Sequence, residues 1–293
     1  MATIWADIIE HIGQVIGQPF QSKQPRSVGG GCINQAYTLD DGQTKVFVKL
    51  NQASKLAMFE AELADLWEMH NSQTIRVPRP LCCGLSGSNA YIAMEWLPFG
   101  GGTTTAWQAM GRQLAAMHRV SSDLGFGWHR SNTIGATHQP NDWQENWLIF
   151  WQKQRLEYQF GLAKRRGESF PQQQALLAVL PELLAGHNPL PALVHGDLWS
   201  GNAAITAAGE PVIFDPATYF GDREVDLAMT ELFGSFPAAF YDGYTASYPL
   251  PAGYSTRKVL YNLYHILNHF NLFGGSYAVQ ANRMIQQLLA AVG

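Results

Sequence analysis

The run Leu193-Val194-His195-Gly196-Asp197-Leu198-Trp199-Ser200-Gly201-Asn202, followed by Pro211-Val212-Ile213-Phe214-Asp215, gathers the groups best able to do chemistry. An apolar strand or turn feeds His-Gly-Asp, an Asn stands five residues past the Asp, and a second Asp ends an apolar run thirteen residues later. That spacing suits phosphoryl transfer. Asp197 would accept the proton of an attacking hydroxyl, while Asn202 and Asp215 would supply hard oxygens to hold Mg²⁺ on the phosphates of a nucleotide. His-Gly-Asp alone is a common turn, with Asp capping a helix and Gly at positive φ. The joint spacing with Asn202 and Asp215 is what points to chemistry. His195 reads as a hydrogen-bonding strut of the loop.

A phosphate-handling loop needs elements that hold the nucleotide. Ser27 to Tyr37 contains Gly29-Gly30-Gly31, and after the turn Asp40-Asp41-Gly42 comes Lys45-Val46-Phe47-Val48-Lys49-Leu50. This reads as two strands around a glycine loop, a hairpin turn and a third strand carrying Lys49. Glycines let backbone amides approach a phosphate, and a Lys on the following strand is placed to grip the α- and β-phosphates. A flexible turn is the plain alternative for the glycines alone. Met58 to Met69 has helical spacing, with Phe59, Leu63 and Leu66 inward; Glu62 falls on that inward side and Glu60 toward solvent, so Glu62 is the expected partner of Lys49.

Tyr91-Ile92-Ala93-Met94-Glu95-Trp96-Leu97-Pro98 forms an apolar strand released by Phe99-Gly100-Gly101-Gly102. This reads as a hinge at about residues 94–99, where backbone groups of Met94, Glu95 and Leu97 could meet an adenine edge. It divides a nucleotide-binding lobe, residues 1–95, from a catalytic and acceptor-binding lobe, residues 96–293. Ahead of it, Ile4 to Ile16 has the spacing of an amphipathic helix (Ile4, Ile8, Ile12, Val15, Ile16). Beyond it the pattern is helical over Trp107–His118, Trp143–Phe160 and Gln172–Leu184. A long polar and aromatic loop from Gly125 to Trp143 intervenes, as a substrate-shaping insertion would. Nothing fixes the direction of Gln144, Glu145 or Arg155. Asp226, opening an apolar helix, is expected to cap it or brace the catalytic loop, and its closeness to Asp215 leaves no room for a long activation loop. His265 and His269, one turn apart, could bind metal, but no third ligand is indicated.

With 293 residues the chain can form one large domain or two lobes. Charged residues make up 14%, below the roughly 25% of an average globular protein. A net charge of −4 without basic runs gives no footprint for nucleic acid or an anionic membrane. No stretch reaches a membrane span and the N-terminus lacks a signal-peptide layout, so cytoplasmic residence is expected. Three cysteines, Cys32, Cys82 and Cys83, form neither a disulfide framework nor a zinc motif. Cys32, in the glycine stretch, could gate nucleotide binding by oxidation.

Taken with the stretches above, Asn141-Asp142-Trp143-Gln144-Glu145, Phe214-Asp215-Pro216-Ala217, Gly221-Asp222-Arg223-Glu224-Val225-Asp226-Leu227-Ala228 and Leu267-Asn268-His269 make nearly the whole chain resemble the fructosamine kinase family. The catalytic-loop elements are shared with the wider aminoglycoside phosphotransferase and choline kinase group. Asp-Leu-Trp-Ser-Gly-Asn and Asn-Asp-Trp-Gln-Glu are the more specific pieces. The resemblance implies an α+β, two-lobed, protein-kinase-like fold: a small lobe with an antiparallel sheet and one main helix, and a larger, mostly helical lobe. It further implies ATP- and Mg²⁺-dependent phosphorylation of ketosamines at the sugar 3-hydroxyl, on small molecules or glycated protein side chains, with release of the unstable sugar as deglycation. By that resemblance Asp197 is the base, Asn202 and Asp215 the Mg²⁺ ligands, Lys49 the phosphate clamp and Glu62 its partner. Trp199, two residues past the base, could stack on a sugar ring or pack in the core. A kinase of an aminoglycoside or choline-like acceptor, or a non-catalytic nucleotide-binding module, are the rival readings.

Overall fold

A computed structural model describes residues 2–22, 24–29 and 34–293. The chain separates into two compact units, Met1–Gly102 with Ala204–Asp215, and Thr103–Ala203 with Pro216–Gly293. The fold is α+β, with strands gathered in the first unit and helices in the second.

In the first unit helix α1, Ala2–Ile16, buries Ile8 and Ile12, whereas Val15, in the same apolar series by spacing, is 46% exposed at the helix end. Strands β1 (Arg26–Val28), β2 (Gln35–Asp40), β3 (Lys45–Gln52), β4 (Pro80–Ser86) and β5 (Asn89–Glu95) make an antiparallel sheet in the order β1-β2-β3-β5-β4. Side chains on a strand alternate between faces. On β3 this sends Val46, Val48 and Leu50 into a core with Ile8, Ile12, Leu39, Tyr91 and Ala93, and turns Lys49 to the opposite face. Helix α2, Leu56–Asn71, packs on β4 and β5, burying Phe59, Leu66 and Met69 with Leu63 half-buried.

The first unit runs past residue 95 to Gly102 and regains Ala204–Asp215 because two short strands, Ala203–Ile205 and Pro211–Ile213, fold back onto it. Gly100 N–H donates to the Ile205 carbonyl at 2.8 Å, Ala207 N–H to Pro98 at 2.8 Å and Ile213 N–H to Arg76 at 3.1 Å. A boundary drawn along the sequence cannot register such a return.

The second unit begins with α3, Thr104–Met117, capped by Thr103, whose Oγ1 accepts from Ala106 N–H at 3.1 Å. The Gly125–Trp143 stretch is more structured than an open loop: β6 (Asn132–Ile134) and β7 (Thr137–Gln139) form a hairpin with buried Asn132, Gln139 and Asn141. Next comes a helix in three parts, α4 (Trp147–Phe150), a wider π-helical stretch (Trp151–Glu157) and α5 (Tyr158–Arg165), then α6 (Gln173–Leu183). Strand β8, Ala192–Val194, pairs antiparallel with Tyr219–Gly221. Four helices follow: α7 (Glu224–Thr230), α8 (Ala238–Ser247), α9 (Tyr254–Phe273) and α10 (Tyr277–Ala290). Helices α3 and α8 meet through two glycines: a Cβ on Gly111 would stand 2.1 Å from the Phe240 carbonyl, and one on Gly243 2.1 Å from that of Gln108. Among the described residues no helix is long and apolar enough to cross a membrane.

Candidate active site

Buried β8 delivers the chain into His195-Gly196-Asp197. Gly196 has φ +81°, and a Cβ there would lie 2.1 Å from the Ala217 carbonyl, so only glycine fits this turn. Asp226 of α7, fully buried, accepts from His195 N–H at 2.7 Å and Gly196 N–H at 2.8 Å, and lies 3.1 Å from His118 Nε2. Burial alone would raise its pKa; the hydrogen bond and charge of His118, with the charge and N–H of His195, outweigh burial and hold it below the ordinary value. Asp226 thus braces the loop. His195 is fully buried and its Nδ1 accepts from Asp197 N–H at 3.2 Å, the geometry of a strut.

Asn202 closes the loop on itself, its Nδ2 donating to the Asp197 carbonyl at 2.9 Å and lying 3.4 Å from Asp197 Oδ2. Trp199 lies over Gly201, where a Cβ would come within 2.3 Å of the indole, and stays 37% exposed. Asp197, Asn202 and Trp199 therefore share one braced loop.

In the first unit Lys49 Nζ sits 2.6 Å from Glu62 Oε1 and 2.6 Å from Asp215 Oδ1. Of the two candidate glutamates, Glu62 meets Lys49 and Glu60 is exposed. Burial would lower the Lys49 pKa, but Asp215 and Glu62 outweigh it and push it up. Glu62 is raised chiefly by burial, against the pull of Lys49 and with Asp215 adding to it, since two carboxylates share one ammonium. Asp215 takes φ +57°, an uncommon left-handed conformation for a non-glycine residue and one found disproportionately at working sites. Next to it Phe214 stacks on Phe99 at 5.2 Å.

At the end of β5, Met94 is buried and paired with Phe47 and Pro80. The Glu95 carboxylate accepts from Arg76 Nη2 at 2.8 Å and from Arg79 N–H at 3.2 Å, and Leu97 is buried in the following extended segment. Arg76 also pairs with Glu210. A Cβ on Gly29 would meet nothing within 4 Å, so packing does not demand glycine there. Gly30, Gly31 and Cys32 lie outside the described residues. His265 is buried with its pKa lowered to about 3, by burial first and His269 second, and His269 Nδ1 lies 2.8 Å from the His265 carbonyl. The two histidines are not part of any cluster of metal-ligating side chains among the described residues; His187, Asp222 and Glu224 form one. That cluster is already paired, Asp222 with His187 and Tyr261 at 2.6 Å each and Glu224 with Arg257 at 2.7 and 2.8 Å.

The profile of the family described as fructosamine kinase matches residues 4–291. The chain belongs to the fructosamine kinase family. A probable ketoamine kinase of Synechocystis is 56% identical, covering 97% of each chain. The chloroplastic protein-ribulosamine 3-kinase of Arabidopsis thaliana is 40% identical over 99% of this chain and 90% of its own. The crystal structure of a candidate fructosamine-3-kinase from Haemophilus somnus superposes with a TM-score of 0.91 at 29% identity, covering 98% of both chains. Solved aminoglycoside phosphotransferases and a choline kinase, at 14% to 18% identity, share the fold alone. As a member of this family the chain is an enzyme of the kinase fold, a phosphotransferase.

Proposed function

We propose that this fructosamine kinase family member transfers the γ-phosphoryl group of ATP to the sugar 3-hydroxyl of a ketosamine, a fructosamine or ribulosamine, and so initiates deglycation of an amine or protein side chain. The observation that carries the reading is the braced loop, with Asp197 fixed by Asp226, His195 and Asn202, in a chain whose relatives are named for ketoamine and ribulosamine phosphorylation.

Asp197 orients the acceptor hydroxyl and takes its proton late in the transfer. Positioning then supplies most of the rate, and a loop locked by buried hydrogen bonds suits it. Lys49 grips the α- and β-phosphates, and Glu62 holds the ammonium in place. Gly29, with Gly30 and Gly31 outside the described residues, would belong to the loop that meets the phosphates, and Met94, Glu95 and Leu97 would offer backbone groups to the adenine edge. Asn202 and Asp215 would hold Mg²⁺. An amide oxygen and a carboxylate are the hard donors that ion takes, and when bound it neutralises phosphate charge. The partly exposed indole of Trp199 offers a face to the sugar ring.

Replacing Asp197 by Asn keeps the shape and removes the base. Turnover should fall by about 10³-fold or more while ATP affinity stays within about threefold. Single-turnover ³²P transfer and calorimetric ATP titration read the two separately, and near-normal turnover of the variant would exclude Asp197 as the base.

A further inference from the structure

The segment that follows Asp215 is irregular yet buried. Ala217 and Thr218, which follow Pro216, belong to no strand and are closed to solvent, so their carbonyls must find partners within the protein. Those partners are side-chain amides of the β6–β7 hairpin: Asn132 Nδ2 donates to the Thr218 carbonyl at 2.8 Å and Gln139 Nε2 to that of Ala217 at 3.1 Å. Each amide is itself held. Asn132 Oδ1 accepts from Gln139 at 2.8 Å and from Asn141 at 2.9 Å, and Gln139 Oε1 accepts from Tyr264 at 2.6 Å. Asn141 Oδ1 in turn accepts from Arg155 Nη2 at 2.8 Å.

Arg155 is fully buried on the π-helical stretch and forms no ion pair with a carboxylate among the described residues. Its guanidinium lies 4.1 Å from the Tyr219 ring centre, 4.7 Å from Phe150 and 5.5 Å from Tyr264, with Nη1 on the Pro140 carbonyl at 2.7 Å and Nε without a partner. A buried charge without a counter-charge is costly, and a methionine would fill the same space without that cost. Packing alone does not call for an arginine; a planar fork that stacks and donates at once does.

What this fork holds leads to the catalytic loop. Tyr219 pairs with Val194 across the two strands, Ala217 N–H donates to the His195 carbonyl at 2.9 Å, and the Ala217 carbonyl closes over Gly196. We propose that Arg155 is a positioning residue for phosphoryl transfer, acting through Asn141, Asn132, Gln139, Tyr219 and Tyr264 to fix Ala217 and, through it, the turn that presents Asp197. The inference rests on the kinase reading above for its effect on turnover. It assigns a task to the Asn-Asp-Trp-Gln-Glu run, whose first residue is the relay between Arg155 and the hairpin.

The test uses the full-length enzyme with Arg155→Met, Arg155→Lys and Tyr264→Phe. Arg155→Met should melt within a few degrees of the parent, keep KM for ATP and acceptor within about threefold, and lose roughly 10- to 100-fold in kcat, the scale of a misplaced catalytic group. Arg155→Lys, with charge but no fork, should not restore kcat. Tyr264→Phe, which removes only the hydroxyl on Gln139, should lower kcat with unchanged KM and add nothing further in the double variant with Arg155→Met. A kcat within twofold of the parent in Arg155→Met, or full rescue by lysine, would overturn the proposal. Should Arg155→Met fail to fold, Tyr264→Phe decides, and an unchanged kcat there overturns it. If the parent turns over no ketosamine, that failure belongs to the substrate reading. Amide hydrogen exchange then decides this one: faster exchange at Gly196 and Ala217 in Arg155→Met or Tyr264→Phe, with α3 and α8 unchanged, supports it, and unchanged exchange overturns it.

Discussion

Lys49 is the residue whose surroundings speak most directly to nucleotide handling. Its ammonium is shared by Glu62 and Asp215 at 2.6 Å each and is almost wholly buried. Removing Glu62 would leave the buried ammonium held by Asp215 alone and free to shift from its place. Glu62→Gln should therefore lower kcat/KM for ATP by about tenfold, a loss of roughly 1.4 kcal/mol in transition-state stabilisation, while Glu60→Gln on the solvent side stays within about twofold. Steady-state kinetics with varied ATP compares the two, and equal effects would contradict the choice of Glu62. That choice was legible in the sequence because helical spacing separates an inward from an outward glutamate two residues apart. Arg155 was not legible: its aromatic cage is assembled from Phe150, Tyr219 and Tyr264, and no local pattern gives the direction of one arginine in a long helix.

At the scale of elements, the catalytic loop depends on α7 and α3 through Asp226 and His118. Asp226 has a lowered pKa, so its contribution to stability is present above the unfolded value of about 4 and lost as pH falls through the folded one. His265 in α9 is held neutral, with a folded pKa of about 3; unfolding lets it take a proton, so stability falls as pH drops from about 6.5 toward 3. The melting temperature should be flat above about pH 7 and decline below it, and His265→Gln should flatten the upper part of that decline. A thermal scan across pH 8 to 4 with equal slopes in both proteins would contradict this. The α3–α8 contact carries a second expectation. Gly111→Ala forces a Cβ against the Phe240 carbonyl and the Tyr244 amide, and should cost about 3 kcal/mol, lowering the melting temperature by roughly 5–10 °C. Calorimetry checks it. Helices α1, α2 and α3 and strands β3 and β5 followed from residue pattern, whereas β4, α8 and α10 were not read and the β6–β7 hairpin was hidden because strands of three residues carry too few positions to show alternation.

Over the whole chain, on the proposed reading, one loop and one Lys-bearing strand would supply most of the chemistry, and both stood out in the sequence because their groups are close together along it. What the sequence could not show is the long-range return of Ala204–Asp215 onto the first unit, whereas the bracing of the loop by Asp226, through His195 and Gly196, was one of the two roles expected of that residue. Family membership gives the reaction type, and the acceptor is what distinguishes this enzyme from the aminoglycoside and choline kinases that share its fold. The decisive measurement is Mg²⁺-dependent ADP release from ATP with a ribulosyl-amine, a fructosyl-amine, kanamycin and choline, with NMR of the product to locate the phosphate. Turnover confined to the ketosamines, with phosphate on the sugar 3-hydroxyl, is the predicted result. Turnover on kanamycin or choline with none on either ketosamine would contradict it.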